Sequence, residues 1–291
     1  MKDYYLLTTE HLESCLWFRD EEDFKVAMNY VAIQAACCPE VSVLAFILMS
    51  NHVHFVLRGE YADTLLFVTQ LKHRYSIYYR IRYGVKEFLR RNTIDVRLIP
   101  YDDESLERSI AYVQMNCVAS NICGHPSQYP WGTGNAFFST KSGTHSIRIG
   151  DISARARERM LHSNCDFLPQ DWQITENGFI NPSSYIDCQA VESLFRTPRR
   201  MNYFLTSSSK AKKRIETAED KLPAFRDQTI LAALPDLFRS LFNKDSFTSL
   251  LSNEKIEIAR QIRFRFSADA NQIARVCGIS YSDAAELLDN A

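Results

Sequence analysis

The sequence predicts an α+β fold, an antiparallel sheet with helices packed on one face, followed by a mainly helical C-terminal region. Residues 41–58, VSVLAFILMSNHVHFVLR, read as two apolar strands around a polar turn. Apolar residues at helical spacing run before and after that pair, over about 24–38, 62–83 and 105–122. Beyond about residue 140, short helical signals alternate with turn residues such as Asn177-Gly178 and Asn181-Pro182.

Residues 4–9 are aromatic, apolar and β-branched, which suits a first strand. Asp20, Glu21, Glu22 and Asp23 open the first helix, because negative charge favours a helix N-terminus, and Pro39 stops it. Val43, Leu44, Phe46, Ile47 and Leu48 read as a strand buried on both faces, and Ser50-Asn51 supplies the turn. In the returning strand the period of two puts His52 and His54 on one face, exposed, with Val53 and Phe55 on the other. The helix over 62–83 ends at Gly84, Ile94–Ile99 alternates as a strand closed by Pro100, and the acidic run 102–104 opens the helix over 105–122.

The bulk properties narrow the class. With 291 residues the chain is long enough for two or three domains, and 46% hydrophobic and 12% aromatic residues can fill real cores. No apolar run approaches the roughly 20 residues needed to cross a bilayer, and the N-terminus lacks a signal-peptide pattern, so a cytoplasmic location and no membrane partner are expected. Eight cysteines without a Cys-x-x-Cys pair suggest small buried hydrophobes rather than zinc or redox work. The net charge of -1 gives no bulk support to nucleic-acid binding, so any such site must come from local clusters.

Four side chains carry candidate chemistry. Two imidazoles projecting the same way from a rigid strand can share one metal ion, although hydrogen-bonded histidines produce the same spacing. Tyr112 and Asn116, four residues apart, share a helix face, so a phenol and an amide oxygen can converge. His52, His54 and Asn116 are thus candidate ligands for Mg²⁺ or Mn²⁺, with Tyr112 as a nucleophile that needs activation because a phenol's ordinary pKa is about 10.

The segments Met49-Ser50-Asn51-His52-Val53-His54-Phe55-Val56, Tyr112-Val113-Gln114-Met115-Asn116-Cys117-Val118 and Tyr129-Pro130-Trp131 resemble, in order, three motifs of the single-tyrosine HUH transposases, in particular their REP-associated group. The resemblance covers residues 1 to about 140. It implies a ferredoxin-like sheet of the HUH nuclease type and metal-dependent cleavage and rejoining of single-stranded DNA beside hairpin or palindromic repeats. The implied intermediate is a 5′-phosphotyrosine on Tyr112. Whether the site is built within one chain or across a homodimer is left open. Cys117 stands where the family has proline, and Gly132-Thr133-Gly134 replaces a serine-rich continuation, read as a plain linker change.

Basic residues interleaved with tyrosines suggest a path for a DNA strand. Lys72, Arg74, Arg80, Arg82, Arg90 and Arg91 form one group, and Arg199 and Arg200 beside Tyr203 and Phe204 form another; a solvated helix face carries the same pattern. The expected organisation is a catalytic domain over 1–140, an accessory helical DNA-binding extension over 141–206, a charged linker over 207–224, and a helical domain over 225–291. The last resembles a helix-turn-helix, yet its second helix is acidic. Two other functional classes fit the same residues: a non-catalytic DNA-binding regulator, and a metal-dependent hydrolase that uses water instead of Tyr112.

Overall fold

The computed structural model describes residues 2–12, 16–86, 88–102, 104–120, 122–139, 147–208, 225, 227–266 and 268–289. The expected boundary around 140–144 and nearly all of the expected linker over 207–224 lie outside the described residues.

The sheet is antiparallel, with strand order β2-β3-β1-β4, formed by β1 (Asp3–Thr9), β2 (Ser42–Met49), β3 (His52–Gly59) and β4 (Ile94–Leu98). β2 is buried on both faces. β1 pairs with β3 in a register that sets Thr8 opposite His54 and Leu7 opposite Phe55. The expected mixed α+β architecture is present.

The helices do not all lie on one face. α1 (Glu21–Cys37) and α2 (Tyr61–Tyr83) pack beside each other, and Phe67 of α2 sits 5.8 Å from Phe55, on the Val53/Phe55 face of β3. α3 (Ser105–Gln114) covers the opposite face, bringing Tyr112 to His54. The reason is apolar surface: Val56 and Ala45 on the strands and Ile110 and Val113 on α3 are all fully buried, and α3 packs against both β2 and β3. The helix expected over 105–122 is also interrupted, since α3 ends at Met115 and a short turn, α4 (Asn116–Ala119), follows.

α1 begins where Asp20 caps it, accepting from the Asp23 amide at 3.0 Å. α2 ends at Gly84 with φ 69°, a left-handed conformation that glycine adopts without a Cβ penalty. The Arg82 guanidinium joins these two ends, 2.5 Å from Asp20 and 2.6 Å from the fully buried Asp23.

The outer edge of β2 is covered rather than exposed. Leu48 donates to the Trp131 carbonyl at 2.9 Å, and Thr133 and Asp187 donate to the Phe46 and Val43 carbonyls at 3.0 and 2.9 Å. Gly132-Thr133-Gly134 is therefore part of the sheet edge, not a plain linker. A Cβ on Gly132 would lie 2.7 Å from the Phe46 carbonyl oxygen, so only glycine lets the segment approach this closely.

Residues 147–208 share the core of the sheet domain instead of building their own. Ile149, Leu161, Ile180 and Phe195 are fully buried in the same cluster as β2 and β3. The region carries the two-stranded β5 (Ile147–Arg148) and β6 (Gln173–Ile174), with α5 (Ala154–Leu161), α6 (Cys188–Phe195) and α7 (Pro198–Ser207). A second core unites α8 (Asp227–Phe242), α9 (Ser252–Phe266), α10 (Ala270–Cys277) and α11 (Tyr281–Asp289), and Leu16 inserts into it from the first domain. Among the described cysteines only Cys117 and Cys165 are buried and Cys37 is exposed, so burial accounts for fewer of them than composition suggests.

Candidate metal centre

β1 and β3 run antiparallel to the end of the sheet where the β2–β3 turn lies, and this brings three histidines together. His52 and His54 project from β3, and His11 follows β1. Each can offer a ring nitrogen such that the three atoms lie within 4.8 Å of one another. The His11 and His52 rings stack with centroids 3.6 Å apart, and His54 stands edge-on to His52 at 4.7 Å.

Neither strand histidine is exposed, contrary to the sequence expectation. His52 is 6% and His54 1% accessible, because His11 covers one ring and Tyr112 the other. His11 itself is exposed.

The local hydrogen bonds fix these rings. His54 Nδ1 lies 2.8 Å from the Thr8 hydroxyl on its cross-strand neighbour. His52 Nδ1 lies 2.8 Å from Asn51 Oδ1. An amide oxygen only accepts, so His52 carries its proton on Nδ1 and keeps the Nε2 lone pair, the form a metal ligand needs. Asn51 also clamps the His11 segment: its Nδ2 donates to the Leu12 carbonyl at 3.1 Å, and the Leu12 amide donates to the Asn51 carbonyl at 3.0 Å.

Tyr112 is half-buried on α3 with its ring 5.7 Å from that of His54. Burial pushes its phenol above the ordinary value, and Arg97 on β4 partly opposes the shift. Asn116 is buried at the head of α4. Its Nδ2 donates back to the Tyr112 and Val113 carbonyls at 2.9 and 3.2 Å, so part of the amide's bonding capacity is used by its own helix.

The third imidazole, His11, was not anticipated from the sequence. A lone histidine after a strand carries no periodic signal. The available cue is register, since extending the β1–β3 pairing beyond Thr8 and His54 carries residues 10 and 11 to the level of the Asn51 turn.

No family model, curated protein or solved structure matches this chain. The site's meaning therefore rests on its own geometry.

The expected DNA-contact residues separate into three sets. Lys72, Arg80 and Arg90 line one groove of about 480 Å³ with His73, Ser76 and Phe88. Arg82 is committed to Asp20 and Asp23, Arg74 lies 5.7 Å over the Tyr30 ring, and Arg200 is 3.1 Å from Glu107 and over the Phe204 ring. Arg91 and Arg199 are exposed. No helix among the described residues is long and apolar enough to cross a membrane.

Proposed function

We propose that the three histidines hold a divalent metal ion and that Tyr112 attacks a DNA phosphodiester beside it, as in the single-tyrosine HUH strand transferases that the motifs resemble. The observation that carries this reading is the placement of Tyr112 against His54, one of the three clustered imidazoles. The donor set fits a metal: three imidazoles, one with its tautomer fixed by Asn51. Nitrogen donors favour Mn²⁺ over Mg²⁺, which prefers oxygen, so Asn116 and substrate oxygens would be needed to satisfy Mg²⁺. A divalent ion bound there supplies Lewis-acid stabilisation to a phosphate oxygen.

The remaining chemistry belongs to the side chains. The Tyr112 oxygen forms a bond to phosphorus as the bond from phosphorus to the 3′ oxygen breaks. The phenol gives up its proton, and the departing 3′ oxygen gains one. The product is a 5′-phosphotyrosine and a free 3′-hydroxyl, and attack by a second 3′-hydroxyl rejoins the strand without an external energy source. Raised by burial, the phenol needs help to ionise, which is the task of a charge at the histidines.

A path for the strand is supported by the basic groove on α2. Lys72 donates to the Asn92 carbonyl, Asn92 Nδ2 donates to the Glu10 carbonyl at 2.8 Å, and Glu10 immediately precedes His11. The groove is thus tied to the histidine end of the sheet. Incubation with a 3′-labelled hairpin oligonucleotide and Mn²⁺ tests the proposal, because the fragment that stays on the tyrosine carries the original 3′ end. Wild-type protein should form a covalent adduct that survives denaturation and Tyr112→Phe should form none; equal adduct would remove Tyr112 as the nucleophile.

A second reading is favoured by one observation. Three histidines form the ligand set of hydrolytic zinc centres with an open position for water. Cleavage with free 5′-phosphate ends, no adduct and full activity in Tyr112→Phe would decide for it.

A further inference from the structure

The turn that delivers the histidines is in contact with the C-terminal helices. The buried Ser50 hydroxyl donates to the Arg265 carbonyl in the last turn of α9. The last carbonyls of a helix have no intrahelical donor, so Ser50 completes the end of α9 with a side chain from another domain. The Ser50 carbonyl in turn accepts from the Trp17 and Phe18 amides at 2.8 and 3.3 Å.

Two further contacts surround this one. The Phe264 ring lies 5.3 Å from Tyr129, and the Tyr129 hydroxyl donates to the Leu48 carbonyl at 2.6 Å, at the end of β2. The Arg265 side chain is buried, bonded to Gln261 at 3.0 Å, and in the field of Asp20, Glu21 and Asp23 at the start of α1. Thus α9 grips the β2–β3 turn at residue 50 directly and at residue 48 through Tyr129. The next residue is Asn51, which holds both the His52 ring and the His11 segment.

We propose that Ser50 is a positioning residue for the histidine centre, and that the docked C-terminal helices are a working part of that centre rather than an appended module. The α9 carbonyl fixes Ser50, and the short turn transmits that position to Asn51, His52 and His11. This rests on the metal reading above. Groups that orient metal ligands from outside the coordination shell typically change affinity 10–100-fold when removed.

The test uses the full chain as wild type, Ser50→Ala, Ser50→Thr and Phe264→Ala, the last loosening α9 without altering the turn. Co²⁺ affinity is measured by absorption titration, and amide hydrogen exchange by mass spectrometry over residues 48–56. Ser50→Ala should weaken Co²⁺ binding by at least about tenfold while remaining folded, Ser50→Thr should restore it, and Phe264→Ala should weaken it in the same direction. Exchange over the turn should rise in Ser50→Ala and Phe264→Ala. Wild-type affinity in Ser50→Ala, or weakened affinity without faster exchange, overturns the proposal. Should the wild type bind no Co²⁺, the metal reading fails by itself, and the exchange comparison still decides whether α9 orders the turn: unchanged exchange in both variants rejects it.

Discussion

His11 and Asn116 compete for the role of third ligand. Asn116 donates through its amide nitrogen to two carbonyls of its own helix and would have to ligate through its oxygen, whereas His11 stacks on His52 and brings a ring nitrogen within 4.8 Å of those of His52 and His54. His11→Ala should therefore lower Mn²⁺ or Co²⁺ affinity more than Asn116→Ala does, by roughly tenfold or more if loss of a ligand matches or exceeds loss of an orienting partner. Because His11 is exposed, its removal should shift the unfolding free energy by no more than about 0.5 kcal/mol. Calorimetric titration and urea unfolding check the two halves. A His11→Ala protein with wild-type metal affinity would return the third position to Asn116.

Among the elements, the joint between the start of α1 and the end of α2 stores a pH dependence. Asp23 is fully enclosed, and burial together with the neighbouring Asp20 carboxylate raises its pKa from 3.8 to about 6, against the pull of Arg82. Between about pH 4 and 6 the folded chain holds a proton that the unfolded chain has released. The stability this group contributes is complete below about pH 4 and is lost as pH rises through about 6. Asp23→Asn, which resembles the protonated form, should flatten that trend, and the gap between the two proteins should change by up to about 3 kcal/mol across the window, at about 1.4 kcal/mol per pH unit. Urea midpoints at pH 4 and pH 6.5 measure it; parallel pH profiles would show that Arg82 holds Asp23 ionised throughout. The same joint shows what could be read from the chain. The acidic run at 20–23 and Gly84 marked both helix ends, because caps and left-handed stops are local. The two strands around Ser50-Asn51 were equally legible, since a continuous apolar run marks β2 and the placing of His52 and His54 on one face follows from the strand's period of two in β3. The meeting of Tyr112 with His54 was expected; what stayed hidden depended on distant partners: α2 packing on the face opposite α3, Gly132 entering the sheet edge, and His11 arriving through β1–β3 register and the Asn51 clamp.

At the scale of the whole molecule, charge decides where a polyanion can bind. Lys+Arg 34 and Asp+Glu 35 nearly cancel, so no global field draws DNA to the surface. Several cations are also paired: Arg82 and Arg200 face buried carboxylates, and Arg239 and Arg275 face carboxylates at the surface. The α2 groove differs because Lys72, His73, Arg80 and Arg90 line it with no carboxylate among its described lining residues. Affinity for a single strand should accordingly be concentrated there and not spread over the basic residues of the chain. Each phosphate contact contributes about 0.7 to the slope of log affinity against log salt for a single strand. Arg80→Glu combined with Arg90→Glu should therefore reduce that slope by about 1.4 and weaken binding at low salt, whereas Arg82→Gln should perturb stability at the α1–α2 joint and leave the slope unchanged. Fluorescence anisotropy of a labelled oligonucleotide from about 50 to 300 mM salt gives both quantities, with Tyr112→Phe as background so that binding is read without covalent capture. An unchanged slope in the groove variant would move the strand to another surface while leaving the chemistry at Tyr112 untouched. A slope lost only in Arg82→Gln would mean that the ion pairs at the joint open to receive DNA.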